Sequence, residues 1–139
     1  MNGREYMETI RRVRRDIRLL TEQIERDSVI ASGVQAICYD IDRVQTSPIG
    51  DRMSDIVANI VEATNTLYDR IQTLQALEHD ARHLLLNLKE EHERALVLHY
   101  INDMPWAQVA DVMGYGEKYI FVIRDNAFRE LDDLLQDIA

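Results

Sequence analysis

The sequence predicts an all-α chain in which long N-terminal helices, an antiparallel pair or a coiled coil, precede a C-terminal cluster of shorter helices. Three observations carry this. Five Gly and two Pro among 139 residues leave little material for turns. Apolar residues recur at spacings of three and four over long stretches, with no hairpin signals between them. An apolar share of 46% suffices for one core or for two small helical units. The division expected is residues 1–88 as a long-helix, oligomerising region and residues 89–139 as a separate helical domain.

The first helix is expected from about Arg4 to Asp27. Tyr6, Ile10, Val13, Ile17, Leu20 and Ile24 alternate spacings of four and three, a narrow a/d seam over three heptads. Two partners fit such a seam: the second long helix of the same chain, or a second copy. Ser28, Ser32 and Gly33 then loosen the pattern, with a short helix expected within VQAICYDIDRV. Thr46-Ser47-Pro48-Ile49-Gly50 reads as a loop.

Asp51 or Ser54 is the expected N-cap of the second long helix. Its stripe is Ile56, Ile60, Ala63, Leu67, Ile71 and Leu74, continued by Leu77, Ala81, Leu84 and Leu88. At ~1.5 Å per residue such a helix is ~45 Å long, too long for one small core. It suits a connector or one arm of a pair.

The third helix is expected over Glu90–Asn102, with Ala95, Leu96, Leu98, His99 and Ile101 facing inward. Asp103 is expected to cap the next, in which Pro105 costs nothing near the first turn. That helix, Trp106 to Met113, should stop at Gly114, a left-handed C-cap. Gly116 then stands at the start of a last helix reaching about Asp137. Ile120, Ile123, Ala127, Leu131 and Leu134 form its inner face.

Composition excludes several classes. No run of eighteen apolar residues suggests a membrane span, and charges interrupt MNGREYMETIRRVRRDIRLL, so it does not read as a signal peptide. The single Cys38 forms no internal disulfide and reads as a small apolar residue, which fits a reducing cytoplasmic setting. His79 and His83 have helical i, i+4 spacing, yet no third ligand accompanies them, so no metal is expected. Phosphate-binding Gly-rich loops and nucleophile settings are missing, so no enzyme, catalytic residue, cofactor or small-molecule substrate is expected.

Charge is uneven. Residues 1–27 carry seven Arg against six acids, whereas residues 89–139 carry five basic and eleven acidic residues. The dense basic run, Arg11, Arg12, Arg14, Arg15 and Arg18, lies far from the C-terminal cluster in sequence. Several of these Arg are expected on a solvated face; if the run folds back, it adds phosphate contacts.

ERALVLHYINDMPWAQVADVMGYGEKYIFVIRDNAFREL, residues 93–131, has the order of a helix-turn-helix: apolar helix, Pro-Trp start, second short helix, Gly-x-Gly corner, longer third helix. Trp106, Val109 and Val112 are expected to pack on Ile120 and Ile123. The outer face of the last helix is then Glu117, Lys118, Tyr119, Phe121, Val122, Arg124, Asp125 and Phe128. Phe121, Val122 and Phe128 cannot all face inward. Some must be exposed, or bury against another helix or subunit.

Leu88 to Leu135 resembles the promoter-reading C-terminal domain of primary-type sigma factors, and is more closely similar to the ArpU-like phage transcriptional regulators. The matching residues are Val97 to Tyr100 with Ile101-Asn102, Trp106, Val109-Ala110, Met113-Gly114-Tyr115, Ile120, Ile123 and Ala127. Val44-Gln45-Thr46-Ser47-Pro48, with Asp51, Met53 and Asp55, resembles that family's upstream half. The resemblance implies a phage- or prophage-type regulator that binds double-stranded promoter DNA, and the seam of the long helices would make it a homodimer. Lys118, Tyr119, Phe121, Val122 and Arg124 would then be DNA-facing, with Arg129 on a phosphate. A different reading keeps the sigma-like fold but makes it a protein-interaction module for RNA polymerase or another phage protein. An adaptor of DNA packaging is a third.

Overall fold

The computed structural model describes the backbone of residues 1–40 and 48–138, and the side chains of these except 34–40 and 48–50. Its elements are α1 (Gly3–Asp40), α2 (Pro48–Leu85), α3 (Glu90–Leu96), a π turn (Val97–Ile101), α4 (Trp106–Met113) and α5 (Glu117–Ile138). Among the described residues there is no strand, and no helix is long and apolar enough to cross a membrane. The chain divides into two compact units. One is Met1–Arg14 with Thr73–Ala139, and the other is Arg15–Gln72.

Two boundaries differ from expectation. Helix α1 continues through Ser28, Ser32 and Gly33 instead of ending near Asp27. The Ser32 hydroxyl donates to the Ser28 carbonyl at 3.0 Å, so a residue that competes with helix in other settings is satisfied inside this one. Helix α2 begins at Pro48, so Pro48–Gly50 are its first turn and not loop, and Asp51 and Ser54 lie inside it and do not cap it. Proline suits that place because its missing N–H has no intrahelical acceptor there. The upstream element Val44–Ser47 and the Cys38 side chain lie outside the described residues.

The first unit is built around α3 and the π turn. On one side Leu96, Tyr100 and Ile101 pack with Met7 and Ile10 of α1, Ala81 and Leu85 of α2, and Ala127, Phe128 and Leu131 of α5. On the other side Ala95 joins Val109, Ala110, Ile120 and Ile123 in a second cluster. Trp106 borders both clusters. Because α3 is sandwiched in this way, His99, Tyr100 and Ile101 are all buried although adjacent in sequence.

Polar groups lock this arrangement. Asn2 Oδ1 accepts the Glu5 N–H at 2.8 Å and Glu5 Oε2 accepts the Asn2 N–H at 3.2 Å, a reciprocal capping box for α1. The Asp132 carboxylate of α5 accepts the Gly3 N–H. A Cβ on Gly3 would stand 2.9 Å from Asp132 Oδ1 and 3.0 Å from Leu131, so the bare backbone permits this approach. Glu130 of α5 holds the start of α3, accepting the Lys89 N–H at 2.7 Å and meeting His92 Nδ1 at 2.6 Å.

At the other end of that segment, Arg14 donates to the Tyr100 carbonyl at 2.6 Å, the Ile101 carbonyl at 2.8 Å and Glu78 at 2.9 Å. A guanidinium is well placed there, since helix C-terminal carbonyls lack intrahelical donors and carry partial negative charge. The π turn comes from the Asn102 N–H reaching back to the Val97 carbonyl at 3.0 Å. Asp103 then turns the chain with φ 59°. It does not cap α4, whose N-cap position is Pro105, without a side-chain hydrogen bond.

In the second unit, Ile17, Leu20 and Ile24 of α1 and Ile56, Ile60 and Leu67 of α2 are half-buried, and Ala63 is buried. Leu19, Val29, Ile30, Val57, Val61, Tyr68 and Ile71 are exposed.

Candidate nucleic-acid interface

Helix α4 runs over the residues its punctuation marks, Trp106 to Met113, and Gly114 ends it at φ 75°. The Tyr115 N–H returns to the Ala110 carbonyl at 2.9 Å, and the Ile120 N–H reaches the Gly116 carbonyl at 3.1 Å, which starts α5. Ala110 is buried where α4 and α5 pack against each other. Ile120, Ile123, Ala127 and Leu131 are buried along one face of α5. Val109 packs on Ile120 and Ile123, as expected. Val112 does not: it is 46% exposed.

The six residues expected to face DNA occupy different sectors of α5. At about 100° per residue, Lys118, Val122 and Arg129 fall on one line opposite the buried face. All three are exposed. Among the described residues neither Lys118 nor Arg129 has a carboxylate within ion-pair distance. Tyr119 is exposed on one flank, its ring edge-on to Tyr115 at 5.0 Å. The Tyr115 hydroxyl holds its proton more tightly than usual because it is hydrogen-bonded to Glu91.

Phe121 and Arg124 lie on the opposite flank, with the guanidinium 4.8 Å above the ring. Arg124 also donates from Nε to Asp125 at 3.0 Å and places Nη2 at 3.0 Å from the same oxygen. Its charge is therefore directed along the helix surface, beside an acid. Phe128 corrects the expected outer face: it is buried, with Tyr100 at 6.0 Å and the Arg4 guanidinium 5.1 Å above its ring. Helix α1 covers that sector, a contact between residues more than a hundred positions apart.

Two basic residues near this surface come from the other end of the chain. Arg4 and Arg11 of α1 border a small cleft of about 140 Å³ together with Arg124, Trp106 and Phe128. Arg4 and Arg129 share the wall of an adjoining cleft. Their spacing of seven in α1 was visible in the sequence, but their proximity to α5 was not. Of the remaining Arg run, Arg14 is committed to the π-turn carbonyls, whereas Arg12, Arg15 and Arg18 are exposed.

His99 stacks on Trp106 at 4.0 Å and 16°, and its Nδ1 donates to the Met104 carbonyl at 2.6 Å. Burial lowers its pKa from 6.5 against the opposing pull of that carbonyl, which favours the neutral ring, and with Nδ1 as donor Nε2 turns its lone pair toward Arg11 at 3.5 Å. Burial, reinforced by the nearby Glu8 carboxylate, pushes the Tyr100 hydroxyl up. His79 and His83 contact each other edge-on at 4.5 Å. Among the described residues no group of three or more His, Cys, Asp or Glu is arranged to hold a metal ion.

No family model, curated protein or solved structure gives a significant match to this chain.

Proposed function

We propose that this protein is a phage- or prophage-type transcription regulator that binds promoter DNA through a sigma-like helix-turn-helix made by α4, the Gly114–Gly116 corner and α5. One observation carries the reading. Helix α5 commits Ile120, Ile123, Ala127 and Leu131 to its own core while Lys118, Val122 and Arg129 stand exposed on the opposite line. A helix so supported can enter a major groove with its N-terminal turns at the base edges. Lys118, Tyr119 and Arg124 would then approach bases, Phe121 and Val122 the thymine methyls, and Arg129 a phosphate.

Residues 89–139 carry five basic and eleven acidic residues, so unspecific affinity is low for a single copy. A homodimer formed through the long helices supplies a second half-site. The exposed Val29, Val57, Val61 and Tyr68 of the Arg15–Gln72 unit are the residues such a partner would cover. Light scattering at high concentration tests this directly, and a monomer would remove the dimer.

A gel shift with the protein's own upstream DNA at two salt concentrations tests the main reading. Binding that survives excess random DNA, weakens with salt, and disappears on Lys118→Ala/Arg124→Ala supports it. No binding at low salt sinks it. The exposed Tyr119, Phe121 and Val122 favour a second reading, a sigma-like module that docks on RNA polymerase or another phage protein without touching DNA. Under that reading Tyr119→Ala/Val122→Ala abolishes partner capture, and Lys118→Ala does not.

A further inference from the structure

We propose that the cleft between α1, the π turn and α5 is a phosphate-binding site in which Arg4, Arg11 and Arg124 converge on one oxyanion. The cleft is about 140 Å³, of a size for a phosphate group, and Trp106 and Phe128 give it apolar walls. Three guanidiniums face two carboxylates there, those of Glu8 and Asp125, which leaves one net positive charge in a chain of net charge −9.

The donors are only partly used. Arg4 approaches Asp125 no closer than 3.8 Å, and Arg11 approaches Glu8 no closer than 3.9 Å. Both distances exceed the ~2.7–2.9 Å of a charge-assisted hydrogen bond. Arg124 spends Nε and Nη2 on Asp125 and keeps Nη1. Glu8 is engaged by the Tyr100 hydroxyl, which donates to it at 3.2 Å. Because the Met104 carbonyl fixes the His99 proton on Nδ1, the Nε2 lone pair takes one Arg11 donor, Nη1, in a long contact of 3.5 Å and leaves the others.

The arrangement is held from behind. Arg4 rests over the Phe128 ring, and Arg11 and Arg4 lie two turns apart on one face of α1. Planar guanidiniums with free N–H pairs match phosphate geometry better than a lysine would. A phosphodiester of a DNA backbone or a free phosphate would satisfy the same donors. The duplex is the source favoured, because Arg124 belongs to the helix assigned to the groove; in this site its Nη1 holds the backbone at the groove edge in place of a base. In that respect the inference rests on the DNA-binding reading, although the site itself does not.

Trp106 is the single tryptophan of the chain, so its fluorescence reports on the cleft of the intact protein. Titration with inorganic phosphate, against chloride at matched ionic strength, should give a saturable change. In Arg4→Gln/Arg11→Gln, which removes two of the three guanidiniums, the apparent affinity should fall by more than about tenfold, the loss expected for a single charge-assisted contact. Arg124→Gln should weaken binding in the same direction and serves if loss of the Arg11–His99 contact unfolds the double variant. No saturable change, or equal affinity in the folded variants, overturns the site.

A short random-sequence duplex supplies the second arm. If backbone phosphate enters the cleft, each lost arginine flattens the log–log salt slope by about 1. Phosphate binding without duplex binding keeps the site and removes the DNA reading. Duplex binding with an unchanged salt slope and no response to phosphate keeps the DNA reading and removes the site.

Discussion

The two units of this chain carry equally regular apolar patterns and bury them very differently. In Met1–Arg14 with Thr73–Ala139, helices converge from several directions, and Met7, Ile10, Leu85, Leu96, Ile120 and Leu131 lose essentially all exposure. In Arg15–Gln72, among the described side chains, Ala63 alone is buried, and the seam residues Ile17, Leu20, Ile24, Ile56 and Ile60 are half-covered. A heptad stripe specifies which face seeks a partner, but it does not specify how many partners arrive. Full burial takes neighbours on more than one side, and in the first unit α3 has them.

The largest test of this contrast is truncation. Leu131→Ala should destabilise by about 3 kcal/mol, because a fully buried leucine leaves a cavity, while Val61→Ala should cost under about 0.5 kcal/mol. Chemical denaturation at low protein concentration measures both. A cost near 1 kcal/mol for Val61→Ala that grows with protein concentration would sharpen the comparison, since the Arg15–Gln72 unit would then be covered by a second copy.

Arg14→Ala comes next, at about 2–3 kcal/mol, because it leaves the Tyr100 and Ile101 carbonyls and the Glu78 carboxylate without their donor. Arg14→Lys should recover only part of this, an ammonium being unable to span two carbonyls and a carboxylate as a planar fork does. Equal stability of both variants and wild type in urea melts would remove the guanidinium from its role as a C-terminal cap.

Two glycines should respond with opposite signs. Gly114→Ala should cost about 1 kcal/mol, since φ 75° opposes a Cβ, whereas Gly33→Ala should stabilise by about 0.5–1 kcal/mol in a helical site with nothing within 4 Å. Thermal melts of the two variants, one from each unit, read this directly.

The smallest expected effect is on pH. His99 has its folded pKa lowered from 6.5, so the unfolded chain binds the extra proton first as pH falls. Stability is therefore full above about pH 6.5 and declines as pH drops toward the folded pKa. His99→Gln should flatten the difference in melting temperature between about pH 7.5 and pH 5.5. An undiminished slope would assign it to other groups.

Much of the first unit was legible because its punctuation is local. Pro105 and Gly114 bracket α4 by backbone chemistry that needs no neighbour, and Ile120, Ile123, Ala127 and Leu131 repeat with helical period on the buried face of α5. Ser28, Ser32 and Gly33 misled for the converse reason. Their helix penalties are small, ~1 kcal/mol for Gly and less for Ser, and a helix of 38 residues absorbs them. Asp103 looked like a cap by residue type. The π turn shifts the register at that point, and Asp103 turns the chain instead.

The candidate surface divides in the same way. Lys118, Tyr119, Val122 and Arg129 could be placed outward from helical period alone. Phe128 could not, because α1 covers it, and neither could the cleft with Arg4 and Arg11, which sequence separates from Arg124 by more than a hundred residues. By itself the sequence determined the all-helical class, the seams and the ends of α4, since these follow from periodicity and from the φ preferences of Pro and Gly. Only the tertiary structure decided which seams are covered, what Arg14 caps, and where positive charge gathers in an acidic chain. Those outcomes depend on long-range packing, which brings together groups that no local pattern connects.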